Sequence, residues 1–166
     1  MTVRVGKFEK ISLDQWHKDY GNDSEGNSDK ILEEIIKIPT RATQKSAGYD
    51  IVTPIDIDLK PGEMVKFPTG LRCKIENGWF LGIFPKSGLG FKYSLRLSNS
   101  TGIIDEDYYN SNNEGHIWAK MQNDGEKEFH IEKGKAVCQG IFLPYGLTYD
   151  DDANGIRNGG LGSTNA

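Results

Sequence analysis

Short runs rich in β-branched and aromatic residues recur along the chain, and they constrain the fold more than any other feature. Glycine, proline, asparagine and aspartate separate the runs at short intervals, which is typical of an all-β sandwich or barrel. The sequence therefore predicts a mostly antiparallel β fold. The predicted strands cover residues 3–5, 49–53, 55–59, 64–67, 71–75, 79–84, 94–97, 116–121, 128–131 and 136–142.

One segment interrupts this pattern with helical spacing. Ser28 and Asp29 can cap a short helix whose apolar residues at positions 31, 32, 35 and 36 share one face, and Pro39 follows its end. The preceding stretch, residues 19–28, is polar and rich in turn-forming residues, which predicts a flexible surface loop. We therefore expect a single short helix in the chain, within an insertion of residues 19–38.

The C-terminal segment has neither helical nor strand periodicity. It begins with a run of aspartates at 150–152 and carries glycines at 155, 159, 160 and 162. The sequence predicts one domain over residues 1–152, followed by a flexible arm over residues 153–166.

Size and charge exclude several classes of protein. A chain of 166 residues suits one domain, and its net charge of −4 gives no basic field to hold a nucleic acid backbone. The apolar runs are far shorter than the ~20 residues needed to span a bilayer, and no secretory signal opens the chain. Cys73 and Cys138 lack metal or disulfide spacing. These features predict a cytoplasmic protein with reduced cysteines, and so small a core favours oligomerisation.

Several familiar sites need spacings that are absent. The three histidines form no HExxH pair, and Asn110 stands where a calcium-binding loop starting at Asp105 needs glycine. The sequence GGLGST lacks the spacing of a phosphate-binding P-loop. Zincin, EF-hand and Walker-type sites are therefore not expected.

Five stretches combine glycine with polar residues that can hold phosphate or position water. Taken singly, a turn or a β-bulge explains each of them. They are AGYD at 47–50, PKSGLG at 85–90, NSTGIIDEDY at 99–108, GKAVCQ at 134–139 and RNGGLGST at 157–164.

In this order the five stretches resemble the motifs of the trimeric dUTPases, usually written AGYDL, RSSxA or RSGxA, GxIDxDYxG, RxAQ and RGxGGFGSTG. The resemblance spans roughly residues 38–164, and EGHIWA at 114–119 is similar to members from Gram-positive bacteria and their phages. It implies a distorted jelly-roll fold. It also implies hydrolysis of dUTP to dUMP and pyrophosphate, which keeps uracil out of DNA and supplies dUMP for dTMP synthesis.

The resemblance assigns the chemistry to three residues. Asp105 matches the general base that activates water to attack the α-phosphate, a role worth ~10²–10⁴-fold in rate. Asp50 matches the carboxylate that holds Mg²⁺ through water, as suits a cation that dehydrates reluctantly. Tyr108 matches the ring that packs against deoxyribose and excludes UTP, whereas Asp107 is expected to support the turn or an ion pair.

The remaining matches concern binding. Asn99 and the backbone of Gly102, Ile103, Ile104 and Trp118 correspond to the uracil-binding hairpin, whose donors and acceptors would reject other bases. The expected phosphate ligands are Lys86, Ser87, Gly88 and Gln139, with Arg157, Leu161, Gly162, Ser163 and Thr164 closing over the substrate from the arm. In the family each site draws on three subunits, so a homotrimer is expected.

Some positions depart from the family patterns. Lys86 replaces an arginine and cannot make its two-pronged phosphate contact. Ala136 and Cys138 replace the arginine and alanine of the fourth motif, and Leu161 replaces the phenylalanine that covers uracil. A core tryptophan is the favoured interpretation of Trp118, and a replacement for that aromatic lid is the alternative.

Two other functions remain open on the sequence alone. A dCTP deaminase-like enzyme has a related fold and a similar third motif, although Tyr108 and the GGLGST tail argue against it. A phage regulatory protein is the other alternative. Some phage members of the family bind a repressor protein, and residues 19–36 offer a surface for such a partner.

Overall fold

A computed structural model of the chain describes residues 3–157 and 159. This part of the chain is built mainly from short strands. The strands are β1 (Gly6–Lys10), β2 (Tyr49–Val52), β3 (Ile57–Leu59), β4 (Met64–Pro68), β5 (Leu71–Ile75), β6 (Trp79–Pro85), β7 (Leu95–Leu97), β8 (Gly102–Ile104), β9 (Trp118–Asn123), β10 (Phe129–Ile131) and β11 (Ala136–Pro144).

The strands form four small sheets, and every pairing between them is antiparallel. The largest sheet has the order β2-β11-β6-β8, and a second has the order β4-β9-β7. Two further pairs, β1-β5 and β10-β3, complete the arrangement. Neighbours in these sheets are mostly distant in sequence. The prediction of a mostly antiparallel β fold is confirmed.

Alternation along the strands fills a single core. Strand β5 buries Leu71, Cys73 and Ile75 and turns the residues between them outward, as a strand with one buried face requires. Cys73 and Cys138 are both free and buried. Burial raises the pKa of each thiol to about 12, so both stay protonated and serve as packing residues.

The prediction of a single helix is wrong. The described residues contain α1 (Leu13–Tyr20), α2 (Asn27–Lys30) and α3 (Ser87–Tyr93). The predicted helix exists as α2 followed by a π-helical turn over Ile31–Ile35, and its apolar face is confirmed because Leu32 and Ile36 are buried. Helix α3 includes most of the PKSGLG stretch, for which the sequence taken singly suggested a turn or a β-bulge.

Helix α1 was missed because it is short and only three of its residues are apolar. Ser12 caps it by accepting a hydrogen bond from the Gln15 N–H at 3.1 Å. Trp16 is fully buried, stacks on Tyr20 with ring centroids 4.4 Å apart, and donates its indole N–H to the Ser28 carbonyl at 2.9 Å. The predicted loop therefore loses residues 19 and 20 to a packed helix.

Strand pairing also changes one predicted boundary and adds one strand. The first strand was expected at residues 3–5, but β1 begins at Gly6 because Phe8 pairs with Cys73 of β5 and enters the core. Strand β8 was expected only as a polar motif, yet it pairs with β6 and ends at Ile104. No helix in the described part of the chain is long and apolar enough to cross a membrane.

Candidate active site

Three of the expected ligand residues meet on adjacent strands of the largest sheet. Gln139 of β11 lies opposite Asp50 of β2, and on its other side β11 pairs with β6, which leads directly into Lys86. The Lys86 ammonium donates a hydrogen bond to the Asp50 carboxylate at 2.7 Å, and both side chains are about one-third exposed. The Lys86 ammonium is therefore accessible from solvent while it is paired with Asp50.

Gly48 and Gln139 are in close contact beside this ion pair. A Cβ at Gly48 would lie 2.3 Å from the Gln139 side-chain oxygen, so no larger residue fits without displacing the amide. The Gln139 amide also donates to the Pro85 carbonyl at 3.2 Å. Ser87 and Gly88 follow Lys86 at the start of α3 and are the next expected phosphate ligands along the chain.

A cavity of about 480 Å³ lies between β8, β9 and the turn after β7. Four of the residues expected to bind uracil line it, namely Asn99, Gly102, Ile104 and Trp118. Ile103 points the other way and is 55% exposed, as alternation along β8 dictates, so only its backbone can face the cavity. The predicted hairpin residues therefore come together.

Trp118 is half-buried and borders this cavity, so the favoured interpretation of a core tryptophan is wrong. The Lys66 ammonium lies over its ring, 4.4 Å from the centroid, in a cation–π contact. Lys66 and Lys120 also line the cavity and lie opposite each other in the β4–β9 register. Sequence patterns gave no reason to select either lysine.

Asp105 directly follows β8 in extended conformation and precedes a 3₁₀ turn over Glu106–Asn110. Its side chain is 44% exposed and forms an ion pair with the Arg157 guanidinium at 2.5 Å. The same guanidinium donates to Asp107 at 2.8 Å, which confirms the ion pair expected for Asp107. The arm thus reaches the third motif of its own chain, and the Arg157 guanidinium lies beside both carboxylates.

Tyr108 is 7% exposed, and its hydroxyl points into the protein. The hydroxyl donates to the His116 carbonyl at 2.7 Å and accepts from the Asn113 amide at 2.8 Å. Burial raises the pKa of Tyr108, so the phenol stays neutral. The Arg157 guanidinium lies 5.9 Å from the ring centroid.

The cluster of Asp50, Lys86 and Gln139 and the Asp105 carboxylate lie at opposite ends of β6. Gly102 pairs with Ile83 and Ile104 with Leu81, so Asp105 continues toward the start of β6, level with Phe80. Lys86 follows the other end, six residues from Phe80. At ~3.3 Å per residue the two positions are roughly 20 Å apart within one chain.

Two further groups near the site had no sequence signal. The two groups are His116 and Asp19. His116 is fully buried, and its ring pairs with Asp19 of α1, which is far away in sequence.

Four of the residues expected in the arm lie outside the described residues, namely Leu161, Gly162, Ser163 and Thr164. Within the described ranges, 3–157 and 159, no group of three His, Cys, Asp or Glu side chains could hold a metal ion.

Comparison with known proteins gives a consistent result. The sequence model of the family described as dUTPase matches residues 34–164. A deoxyuridine 5'-triphosphate nucleotidohydrolase from Lactococcus lactis is 44% identical over 135 residues, covering 79% of this chain and 89% of the relative. The corresponding protein from Desulfitobacterium hafniense is 37% identical over 136 residues, covering 77% and 87%.

The fold has solved counterparts. The crystal structure of a dUTPase from Streptococcus mutans matches 86% of this chain and 98% of its own length, with a TM-score of 0.64 and 35% identity. The match confirms the expected jelly-roll fold, and the Lactococcus and Streptococcus relatives agree with the expected Gram-positive type.

Proposed function

The chain belongs to the dUTPase family, and from this premise we propose that it hydrolyses dUTP to dUMP and pyrophosphate, as a dUTP diphosphatase. The observation that carries the proposal is the cavity lined by Asn99, Gly102, Ile104 and Trp118, with the Asp105 carboxylate immediately beyond Ile104. A recess large enough for a pyrimidine base thus has a lining residue, Ile104, that is followed in the chain by a partly exposed carboxylate. The activity would remove dUTP and so keep uracil out of DNA, while supplying dUMP for dTMP synthesis.

Asp105 would act as the general base. Its carboxylate accepts no hydrogen bond from the backbone of its own turn, which leaves its oxygens available for a water molecule once Arg157 moves. That water would attack the α-phosphorus, and pyrophosphate would leave. A base held in this way contributes ~10²–10⁴-fold to the rate.

Uracil selection would rest on polar groups at the cavity that the base itself would satisfy. The Asn99 amide and the backbone of residues 102–104 and 118 would satisfy the uracil edge, and cytosine would leave the same groups without partners. Trp118 would cover the base, because it borders the cavity and position 161 holds leucine.

A homotrimer is part of this proposal. One chain holds Lys86 and Asp105 at opposite ends of β6, roughly 20 Å apart, whereas the α- and γ-phosphates of one nucleotide are much closer together. A complete site is therefore formed when a second subunit brings its Lys86, Ser87, Gly88 and Gln139 to the Asp105 of the first.

The C-terminal arm, residues 153–166, would close over the triphosphate. In the structure Arg157 already lies beside two carboxylates, and a triphosphate offers the same negative charge. Arg157 would exchange these carboxylates for phosphate oxygens. Ser163, Thr164 and the backbone of Gly162 would complete the contacts, and Leu161 would lie near the base.

The residues present fit a magnesium ion held mainly by the substrate. Asp50 is a single carboxylate beside the Lys86 ammonium, and the described residues offer no cluster of protein ligands. Such a set suits Mg²⁺, which keeps most of its waters and binds through substrate phosphates. When bound, the ion would neutralise charge on the phosphates. Asp50 would orient its water shell.

The test is a nucleotide panel. Purified protein with Mg²⁺ should release pyrophosphate from dUTP, and far less from UTP, dCTP or dTTP. Asp105→Asn should lower kcat at least 100-fold, whereas the matched exposed carboxylate change Asp124→Asn should not. Absence of pyrophosphate from dUTP, or near-normal turnover by Asp105→Asn, would contradict the proposal. Ammonia release from dCTP would instead favour the deaminase alternative.

Two further expectations remain proposals. A cytoplasmic location is supported by two free, buried cysteines, as expected in a reducing compartment.

A repressor partner would have to bind the surface between α1 and α2, because Trp16, Leu32 and Ile36 are buried in the core and cannot contact it. Deleting residues 22–26 should then abolish capture of the repressor while leaving dUTP hydrolysis intact.

A further inference from the structure

Helix α1 is attached at both ends to the segment that carries Tyr108 and Trp118. At its N-terminus, the Ser12 N–H and hydroxyl donate to the Glu114 carboxylate at 2.9 and 2.6 Å. At its last turn, the Asp19 carboxylate lies 2.5 Å from Nδ1 of His116. A helix that the sequence motifs leave unexplained is thus connected directly to the candidate site.

The protonation of the His116 ring follows from its partners. The Gly70 N–H donates to Nε2 at 2.9 Å, so that nitrogen carries a lone pair. The proton of the neutral ring is then on Nδ1 and is donated to Asp19. Burial lowers the pKa of His116 despite the nearby Asp19 carboxylate, which agrees with a neutral ring.

Asp19 is itself fixed in place. The same carboxylate oxygen accepts from the Gln15 amide at 2.8 Å, one helical turn earlier, and the side chain is only 18% exposed. His116 is fully buried, so its ring has no freedom to turn once Asp19 and Gly70 hold its two nitrogens.

The Tyr108 hydroxyl donates a hydrogen bond to the His116 carbonyl at 2.7 Å, so the fixed position of His116 also restrains Tyr108. We propose that Asp19 and His116 are positioning residues for sugar selection, holding Tyr108 where its ring admits deoxyribose and excludes ribose. This inference rests on the proposed function, in which Tyr108 packs against the sugar. Small displacements are sufficient to matter, because a ~1 Å error in placement can cost ~10²-fold in rate.

A second carboxylate–histidine pair, between α1 and α2, provides a matched control. Asp29 lies 2.5 Å from Nε2 of His17 and ties α2 to α1 without contacting the segment that carries Tyr108. Asp29→Ala should therefore weaken the insertion, as Asp19→Ala does, but leave the geometry of Tyr108 intact.

The experiment measures kcat and KM for dUTP and UTP together with Tm. Asp19→Ala should lower the dUTP-over-UTP ratio of kcat/KM about tenfold, mainly through KM, which corresponds to ~1.4 kcal/mol. Asp19→Asn keeps an acceptor oxygen and should restore the ratio to within about twofold. Asp29→Ala should keep the wild-type ratio even if its Tm falls. An unchanged ratio in Asp19→Ala, or an equal fall in Asp29→Ala, would overturn the positioning role.

A measurement on the unmodified protein covers the case in which Asp19→Ala does not fold. In ¹⁵N-labelled protein the His116 ring proton should be bound to Nδ1, and its resonance should move when α,β-imido-dUTP is added, while those of His17 stay in place. A stationary His116 signal would refute the inference. Wild-type protein without dUTP turnover would contradict the proposed function, whereas normal turnover with an unchanged ratio contradicts only the role of Asp19.

Discussion

The Lys86 ammonium donates a 2.7 Å hydrogen bond to the Asp50 carboxylate, which joins the first and second motifs across the sheet. Lys86→Ala should raise the KM for dUTP ten- to a hundredfold, because a hydrogen bond to a charged group contributes about 1.5–3 kcal/mol. Lys86→Arg should keep or lower KM, since arginine contacts phosphate with two donors. Steady-state kinetics check both, with Lys92→Ala, in the helix that follows Lys86, as a control. An unchanged KM in Lys86→Ala would exclude phosphate binding there.

The separation of Lys86 and Asp105 along β6 predicts complementation between inactive variants. At dUTP concentrations well below the KM of Lys86→Ala, this variant and Asp105→Asn should each show little activity, but co-refolded mixtures should regain it, because some mixed sites combine an intact Asp105 with an intact Lys86. Mixing Lys86→Ala with Gln139→Ala should regain much less, since both changes affect the same cluster. If the first mixture stays inactive, the sites are not shared between subunits in this way.

Gly48 predicts a steric effect on the cluster of Asp50, Lys86 and Gln139. Gly48→Ala would place its Cβ 2.3 Å from the Gln139 side-chain oxygen, so the amide must move. We expect KM for dUTP to rise several-fold, with Tm changed by only a few degrees. Gly146→Ala is the control because a Cβ there meets nothing within 4 Å. Equal effects of the two substitutions would contradict the proposed contact.

Stability at acidic pH should depend on Glu9. Hydrogen bonds from the Tyr109 hydroxyl and the Lys7 ammonium lower the pKa of Glu9 from 4.5 to about 2. The stabilisation is therefore complete above pH 4.5 and is lost as the pH falls from 4.5 toward 2. Tm measured against pH should fall less steeply over this window for Glu9→Gln than for wild type. The exposed Glu126→Gln should follow the wild-type curve; identical slopes for all three proteins would contradict the assignment.

The sequence predicted the secondary structure elements whose signals lie within a few neighbouring residues. Alternation and turn residues placed most strands, and the apolar spacing at positions 31–36 placed the buried face that contains Leu32 and Ile36. Helix α1 had a usable signal in the Ser12 cap and in the spacing of Leu13, Trp16 and Tyr20. Its packing, however, depends on distant partners such as the Ser28 carbonyl.

The candidate site likewise combines residues that motifs identify with contacts that only the fold brings together. Motif order identified Asp50, Lys86 and Gln139, and β2, β11 and β6 bring them together. The pairing of Asp19 with His116 joins residues 97 positions apart and has no local signature. Such contacts arise from tertiary packing, so residue spacing alone could not reveal them.

The inward orientation of the Tyr108 hydroxyl has a consequence for how a sugar is distinguished. Its donor and acceptor are both used within the protein, so the ring can offer only carbon to a ligand. A ribose 2′-hydroxyl buried against that surface would give up its hydration and receive no hydrogen bond in return. Such a surface would disfavour ribose because the lost hydration of the 2′-hydroxyl is not replaced by a hydrogen bond. The Tyr108 hydroxyl stays neutral, so this discrimination should not depend on pH.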